Sequence, residues 1–223
     1  DVLGSRGLGD VYKRQTLFQS NTTFDFLHWL LRDDKNYLRF EHIRKLRIIG
    51  FLNHHVSQFF GIDIMRNVAL RFLRGYTHEY LYYEANRFCR NYLDKRKNEQ
   101  VFHFLEEWRS QGKRLVLVSA TIDCVAHAVS VYCGIPLFLS TELSYNNQVC
   151  TGRIKKDLLA NKYSNIHRAC GCSHFDRVIT DNYSDLDIIN KADSAVLIQY
   201  SKSKNKWLSL TNKITSKWQI LEI

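Results

Sequence analysis

The stretch LVLVSATIDCVAHAVSVYCGIPLFLS, residues 115–140, decides the fold class. Its opening, LVLVS at 115–119, is a short apolar run of the kind a strand buried on both faces requires. A helix is expected from about Ile122 to Tyr132, Gly134 closes it, and PLFLS at 136–140 reads as a second buried strand. Parallel neighbours need such a crossover, whereas antiparallel ones need only a turn.

Downstream the alternation continues. ELSYNNQVCTGRI, residues 142–154, reads as a hairpin turning at Asn146 and Asn147. A helix around Leu158 to Ala169 leads to the strand RVIT at 177–180. DNYSDLDIINKA then opens another helix, and AVLI at 195–198 is a further strand. SKSKNKW, from 201, is a charged loop, and the C-terminal WLSLTNKI and WQILEI segments can supply edge strands. Upstream the period changes. From Phe24 to about Lys97 the apolar residues keep helical spacing, as in Phe24, Leu27 and Leu31 or Ala85, Phe88 and Tyr92. A bundle of roughly four helices is expected there. After DKRKNEQ, one more amphipathic helix through Val101, Leu105 and Trp108 ends at Gly112. The expected fold is therefore α/β, a Rossmann-like parallel sheet core interrupted early by an inserted helical-bundle cap domain. The core would take residues 1–17 and 98–223, and the cap 18–97.

The chain has 223 residues, 45% of them hydrophobic, enough to bury a core and one sizeable insertion. No apolar run approaches the roughly 18 residues needed to cross a bilayer, and no signal-peptide stretch opens the chain, so a cytoplasmic protein is expected. The six cysteines, Cys89, Cys124, Cys133, Cys150, Cys170 and Cys172, are too sparse for a disulfide scaffold. HRACGCSH, 167–174, crowds four zinc-type ligands together, but structural zinc sites use separated pairs, so a loop-to-strand junction is the better reading. The net charge is +10, and residues 25–97 hold 14 Lys and Arg against 8 Asp and Glu. Such a basic surface suits a phosphorylated substrate, an anionic membrane face or nucleic acid.

In parallel sheets ligands bind at the carboxyl ends of the strands. Three features fall there. Ser119 ends its strand with a hydroxyl, and the backbone N–H groups just beyond it, beginning with Ala120, suit an anion. Asp181 ends another strand, with Asp185 four residues later at a helix start; two carboxylates so placed call for a cation or a donor between them. Lys162, on the helix between these strands, could neutralise a phosphoryl oxygen.

This set, in this order, resembles the haloacid dehalogenase-like hydrolases, in particular their phosphoserine phosphatase-like branch. VLVSAT is similar to the second motif of that family, Lys162 to the third and TDNYSD to the fourth. TELSYNNQVCTGRI is similar to the hairpin between the second and third motifs, and the helical block 24–97 to the cap. The resemblance implies a Mg²⁺-dependent phosphomonoester hydrolase working through an aspartyl-phosphate. Ser119, Ala120 and Lys162 would hold the phosphate of a small phosphorylated substrate, Ser119 and Lys162 serving catalysis, and Asp181 and Asp185 would face the metal. A nucleic-acid substrate is not expected.

The first motif departs from the pattern. The family places a nucleophilic aspartate and, two residues on, an acid/base aspartate ahead of Gly-Thr-Leu. TLFQSNTTFDF, 16–26, matches the end of that motif and the segment after it, but Gln15 stands at the glycine position, Arg14 at the acid/base position and Tyr12 at the nucleophile position. DVLGSRGLGDVYKR offers no buried-strand run either, and it resembles a translated sequencing adapter. Residues 1–15 are therefore expected to be non-native and the chain to have little or no activity. Asp10 could substitute only if the strand slipped by two residues. Two competing readings are a non-catalytic pseudo-phosphatase holding anionic lipid or nucleic acid, and a serine hydrolase pairing Ser119 with His127. VLVSAT lacks the glycine-flanked elbow the latter uses.

Overall fold

The computed structural model describes residues 16–46, 48–51, 53, 63–158, 162–171, 173–200 and 207–223. The expected first strand, with Asp10, Tyr12, Arg14 and Gln15, lies outside the described residues, as do Cys172 and most of the charged loop from 201.

Four helices precede the sheet-forming part: α1 (Thr22–Leu30), α2 (Lys35–Arg44), α3 (Ile64–Leu70) and α4 (His78–Phe88). Each begins where a short polar side chain can accept a backbone N–H that the helix leaves unpaired. Asn21 accepts from Phe24, Asp34 from Asn36 and Tyr37, Asp63 from Arg66 and Thr77 from Tyr80. Helix α4 then widens into a π turn over Cys89–Leu93. Helix α5 (Glu99–Ser110) comes next, capped by Asn98, and Gly112 (φ +71°) ends it.

Strand β1 (Val116–Ile122), helix α6 (Asp123–Cys133) and strand β2 (Leu137–Asn146) form the expected parallel crossover, closed by Gly134 in the left-handed conformation. Strand β2 runs without a break from its parallel pairing with β1 into an antiparallel pairing with β3 (Val149–Lys156). The hairpin turns at Asn147 and Gln148, one residue later than expected, and both have positive φ (48° and 66°). That twist matches the strands, as in type I′ turns. A second sheet is parallel throughout: β4 (Phe175–Thr180), β5 (Ala192–Gln199) and the edge strand β6 (Lys217–Glu222). Helix α7 (Lys162–Cys170) leads into β4, and α8 (Leu186–Ile189) joins β4 to β5.

Among the described residues the sheets have three strands each, and β1 and β4 are each paired on one side only. Side chains near their starts join the two halves: Lys113 pairs with Asp176, and the Arg177 guanidinium lies over the Trp108 ring. One continuous apolar cluster links the helices to the first sheet, with Phe26, Leu27, Leu81, Phe88 and Leu93 meeting Ile122, Val125 and Ala128. A smaller one, around Ile189, Leu197 and the fully buried Trp207, lies against the second sheet. No described helix is long and apolar enough to cross a membrane.

Candidate active site at the strand ends

At the end of β4 the carboxylate of Asp185 gathers donors. Both its oxygens accept from Lys162 Nζ, at 2.9 and 2.8 Å. The Thr180 hydroxyl donates to one oxygen and the Asn182 amide to the other, each at 2.9 Å. Asp185 is buried and Lys162 nearly so, at 9% and 15% side-chain exposure, so the pair is weakly screened. The turn holds itself: Asn182 N–H donates to the Thr180 hydroxyl, and Asn182 Oδ1 accepts from Ser184. The lysine spends two of its three hydrogens on Asp185 and keeps one for a ligand.

Asp181, also buried, accepts the Thr16 hydroxyl at 3.0 Å. Its negative charge, after burial itself, pushes the Tyr200 phenol upward. Asn98, the cap of α5, donates its side-chain amide to the Thr16 carbonyl and its backbone N–H to the Leu17 carbonyl, which fixes Thr16 beside the carboxylate.

The end of β1 is irregular. Val118 pairs with Leu139 and Ile122 with Thr141, so four steps on β1 meet two on β2 and two residues are extra. The irregularity takes Ser119 and Ala120 out of the ladder. Ser119 Oγ accepts the Thr121 N–H at 3.2 Å, and the Ala120 carbonyl accepts the buried Thr141 hydroxyl at 3.1 Å. Thr121 is pinned by two hydroxyls from the first turn of α1, Thr22 at 2.9 Å and Thr23 at 3.0 Å. Residues 16–23 thus touch both strand ends: Thr16 at Asp181, Thr22 and Thr23 at Thr121. Six residues reach at most about 20 Å, so the two ends face one rim.

A cleft of about 260 Å³ lies nearby, lined by Tyr82 of α4 together with Asp123, Ser140, Glu142, Lys156 and Leu158. Burial raises the Asp123 carboxyl, although the Leu143 and Cys124 N–H groups oppose it. His127 packs against the Tyr82 and Phe138 rings, so the described contacts give no support to a Ser119–His127 pair.

Lys162 and Asp185 are thus in direct contact, with Asp181 four residues before Asp185 at the same strand end. Thr180 and Asn182 were not singled out from the sequence. Their signal was the Thr-Asp-Asn run at a strand-to-helix turn, where such side chains bond the local backbone. The oxygen set is short for a hard cation. Asp185 is saturated by donors, so of the two carboxylates at this strand end Asp181 is the better placed to face a cation. Residues 11–15, VYKRQ, add no acid. No described cluster of three or more His, Cys, Asp or Glu residues could hold a metal ion. The residues present do not complete a Mg²⁺ site.

The sequence signature of the haloacid dehalogenase-like hydrolases matches residues 15–188, beginning where the resemblance read from the residues begins. No curated protein matches the chain. Among solved structures, a protein of unknown function from Bordetella pertussis Tohama I superposes with a TM-score of 0.66 at 14% identity, covering 92% of this chain and 93% of its own. A phosphoserine phosphohydrolase-like protein from Francisella tularensis subsp. tularensis SCHU S4 gives 0.57 at 15% identity (92% and 90%). A phosphoserine phosphatase in its apo form gives 0.55 at 15% identity (91% and 88%). At these identities the likeness is one of fold, and it spans nearly the whole of each chain. With the signature covering more than half of its residues, the chain belongs to the haloacid dehalogenase-like hydrolase family.

Proposed function

We propose that the fold is that of a phosphomonoester hydrolase whose first motif is displaced in this chain. The observation that carries the reading is the Lys162–Asp185 pair beside Asp181, facing a strand end opened at Ser119 and Ala120. Phosphoryl transfer asks a protein mainly to position the phosphoryl group and neutralise its oxygens. Lys162, oriented by Asp185, would offer its remaining hydrogen to one oxygen. The Ser119 hydroxyl and the Ala120 N–H would hold a second. Asp181 would supply one carboxylate toward Mg²⁺, which when bound neutralises phosphoryl charge. Helices α1–α4 would act as the cap, covering a small phosphorylated substrate and excluding water.

The chain as it stands lacks the nucleophile, and removing a nucleophile costs on the order of 10⁶ in rate in a well-studied hydrolase. Tyr12 and Arg14 also bring bulk and positive charge where carboxylates belong. A non-catalytic protein that holds an anion at this rim is therefore the second reading. Release of phosphate from an aryl phosphate, with Mg²⁺ present, separates them. Turnover is expected from a chain carrying Tyr12→Asp, Arg14→Asp and Gln15→Gly and not from the chain as given. A folded triple variant without turnover would favour the second reading.

A further inference from the structure

Five of the large apolar side chains most exposed to solvent fall within 22 residues of the helical part: Ile43 (53% exposed), Leu46 (57%), Ile48 (74%), Phe51 (47%) and Ile64 (40%). They belong to one surface. Ile43 lies in the last turn of α2, and the next three come directly after it along the chain. The Asn53 amide donates to Asp63, and Asn53 accepts the Met65 N–H, which seats the start of α3, with Ile64, beside the end of that stretch. Clustered exposed apolar groups cost solubility unless something covers them.

The charges around this surface have one sign. Arg39, His42 and Lys45 are exposed. The only acid between Lys35 and Asn53 is Glu41, which is buried and held by Arg44 at 2.6 Å and Lys45 at 3.2 Å. Apolar side chains flanked by cations, with no exposed carboxylate among them, match a layer of anionic headgroups over hydrocarbon. The apolar groups can enter the acyl boundary while Arg39 and Lys45 reach back to the phosphates. A nucleic acid fits less well, because four of the five groups are aliphatic and offer bases nothing to stack on.

We infer that the 43–64 face of the helical part docks onto an anionic lipid surface. This docking does not depend on catalysis, so it stands or falls apart from the phosphatase reading. It would place the protein where its substrate, whatever its alcohol, is approached from a membrane.

The test is sedimentation of the full chain as given with vesicles of phosphatidylcholine alone and of phosphatidylcholine with phosphatidylglycerol. Binding is expected only with the anionic vesicles and should weaken as salt is raised. Arg39→Ala with Lys45→Ala should lower partitioning about fivefold per charge removed. Leu46→Asp with Ile48→Asp should abolish it, and these sites are exposed enough that the fold should survive. Val131→Asp, at an exposed position on α6, should leave binding unchanged. No binding to anionic vesicles, or binding indifferent to the Leu46 and Ile48 changes, would overturn the inference. So would a concentration-dependent dimer that those changes dissociate without any vesicle binding, since the face would then be a contact between copies.

Discussion

Replacing Asp185 by alanine strips Lys162 of its carboxylate and leaves two further donors, Thr180 Oγ1 and Asn182 Nδ2, without their acceptor. Breaking a buried ion pair from one side costs about 3–5 kcal/mol. Here Lys162 keeps 15% of its side chain in solvent, so the lower end applies, at about 2–3 kcal/mol. The buried Thr180 hydroxyl adds about 1 kcal/mol. The total, about 4 kcal/mol, should lower a urea midpoint by about 2 M at a slope of about 2 kcal/mol/M. Lys162→Met should cost less, about 2 kcal/mol, because Asp185 keeps Thr180 and Asn182. The double variant then reports the interaction itself. If the two side chains act as one pair, its loss falls short of the sum of the singles by about 2 kcal/mol. A coupling below about 0.5 kcal/mol would show that the pair does not hold the strand end together, and the positioning assigned to Lys162 would fail.

Two further outcomes rest on local geometry and charge. Gly152→Ala should destabilise by about 2–4 kcal/mol in the same urea assay, because Gly152 has φ +73° and a Cβ there would sit 2.9 Å from Arg71 Cα and 3.0 Å from its carbonyl oxygen. A loss under about 1 kcal/mol would mean that β3 and the turn at Arg71 are not in close contact. Burial raises the Glu41 carboxyl, but Arg44 and Lys45 more than offset this and hold it below its ordinary value of 4.5. Its folded value is thus the lower one, so its contribution is fully present above about pH 4.5 and is lost as pH falls through the folded value. Unfolding free energy measured through that window should drop less steeply in Glu41→Gln than in the parent, and equal slopes would contradict the assignment.

Much of the sheet could be read because its signals are local. The LVLVS run, the helix closed by Gly134 and the β-branched AVLI segment each carry their structure within a few residues. The helices α1–α4 announce themselves by period and by Asn21, Asp34, Asp63 and Thr77 at their starts. The features that could not be read depend on partners far along the chain. Strand β2 passes straight into the hairpin because β1 and β3 pair with different parts of it, which no window of sequence contains. The irregularity at Ser119 and Ala120 arises from register against β2, not from a glycine or proline. Thr22 and Thr23 look like ordinary helix-start residues, yet their hydroxyls bind Thr121 about a hundred positions away. Arg66 looks like a surface helix cation, but it is buried and donates to Thr141 and Asp157. Within the site, chain order indicated Lys162, Asp181 and Asp185, while the saturation of Asp185 by four hydrogen bonds needed coordinates.

The central claim is that phosphoryl transfer takes place at the rim shared by β1 and β4, with position 12 as the nucleophile and Ser119 as a phosphate ligand. The direct test is to mix the Tyr12→Asp, Arg14→Asp, Gln15→Gly chain with an aryl phosphate, quench in acid and weigh the protein and its peptides. One added phosphoryl group is expected on the peptide containing position 12, absent when Asp181→Asn is added. A phosphoryl group on Ser119, or turnover with no covalent intermediate that survives Asp181→Asn, would contradict the claim.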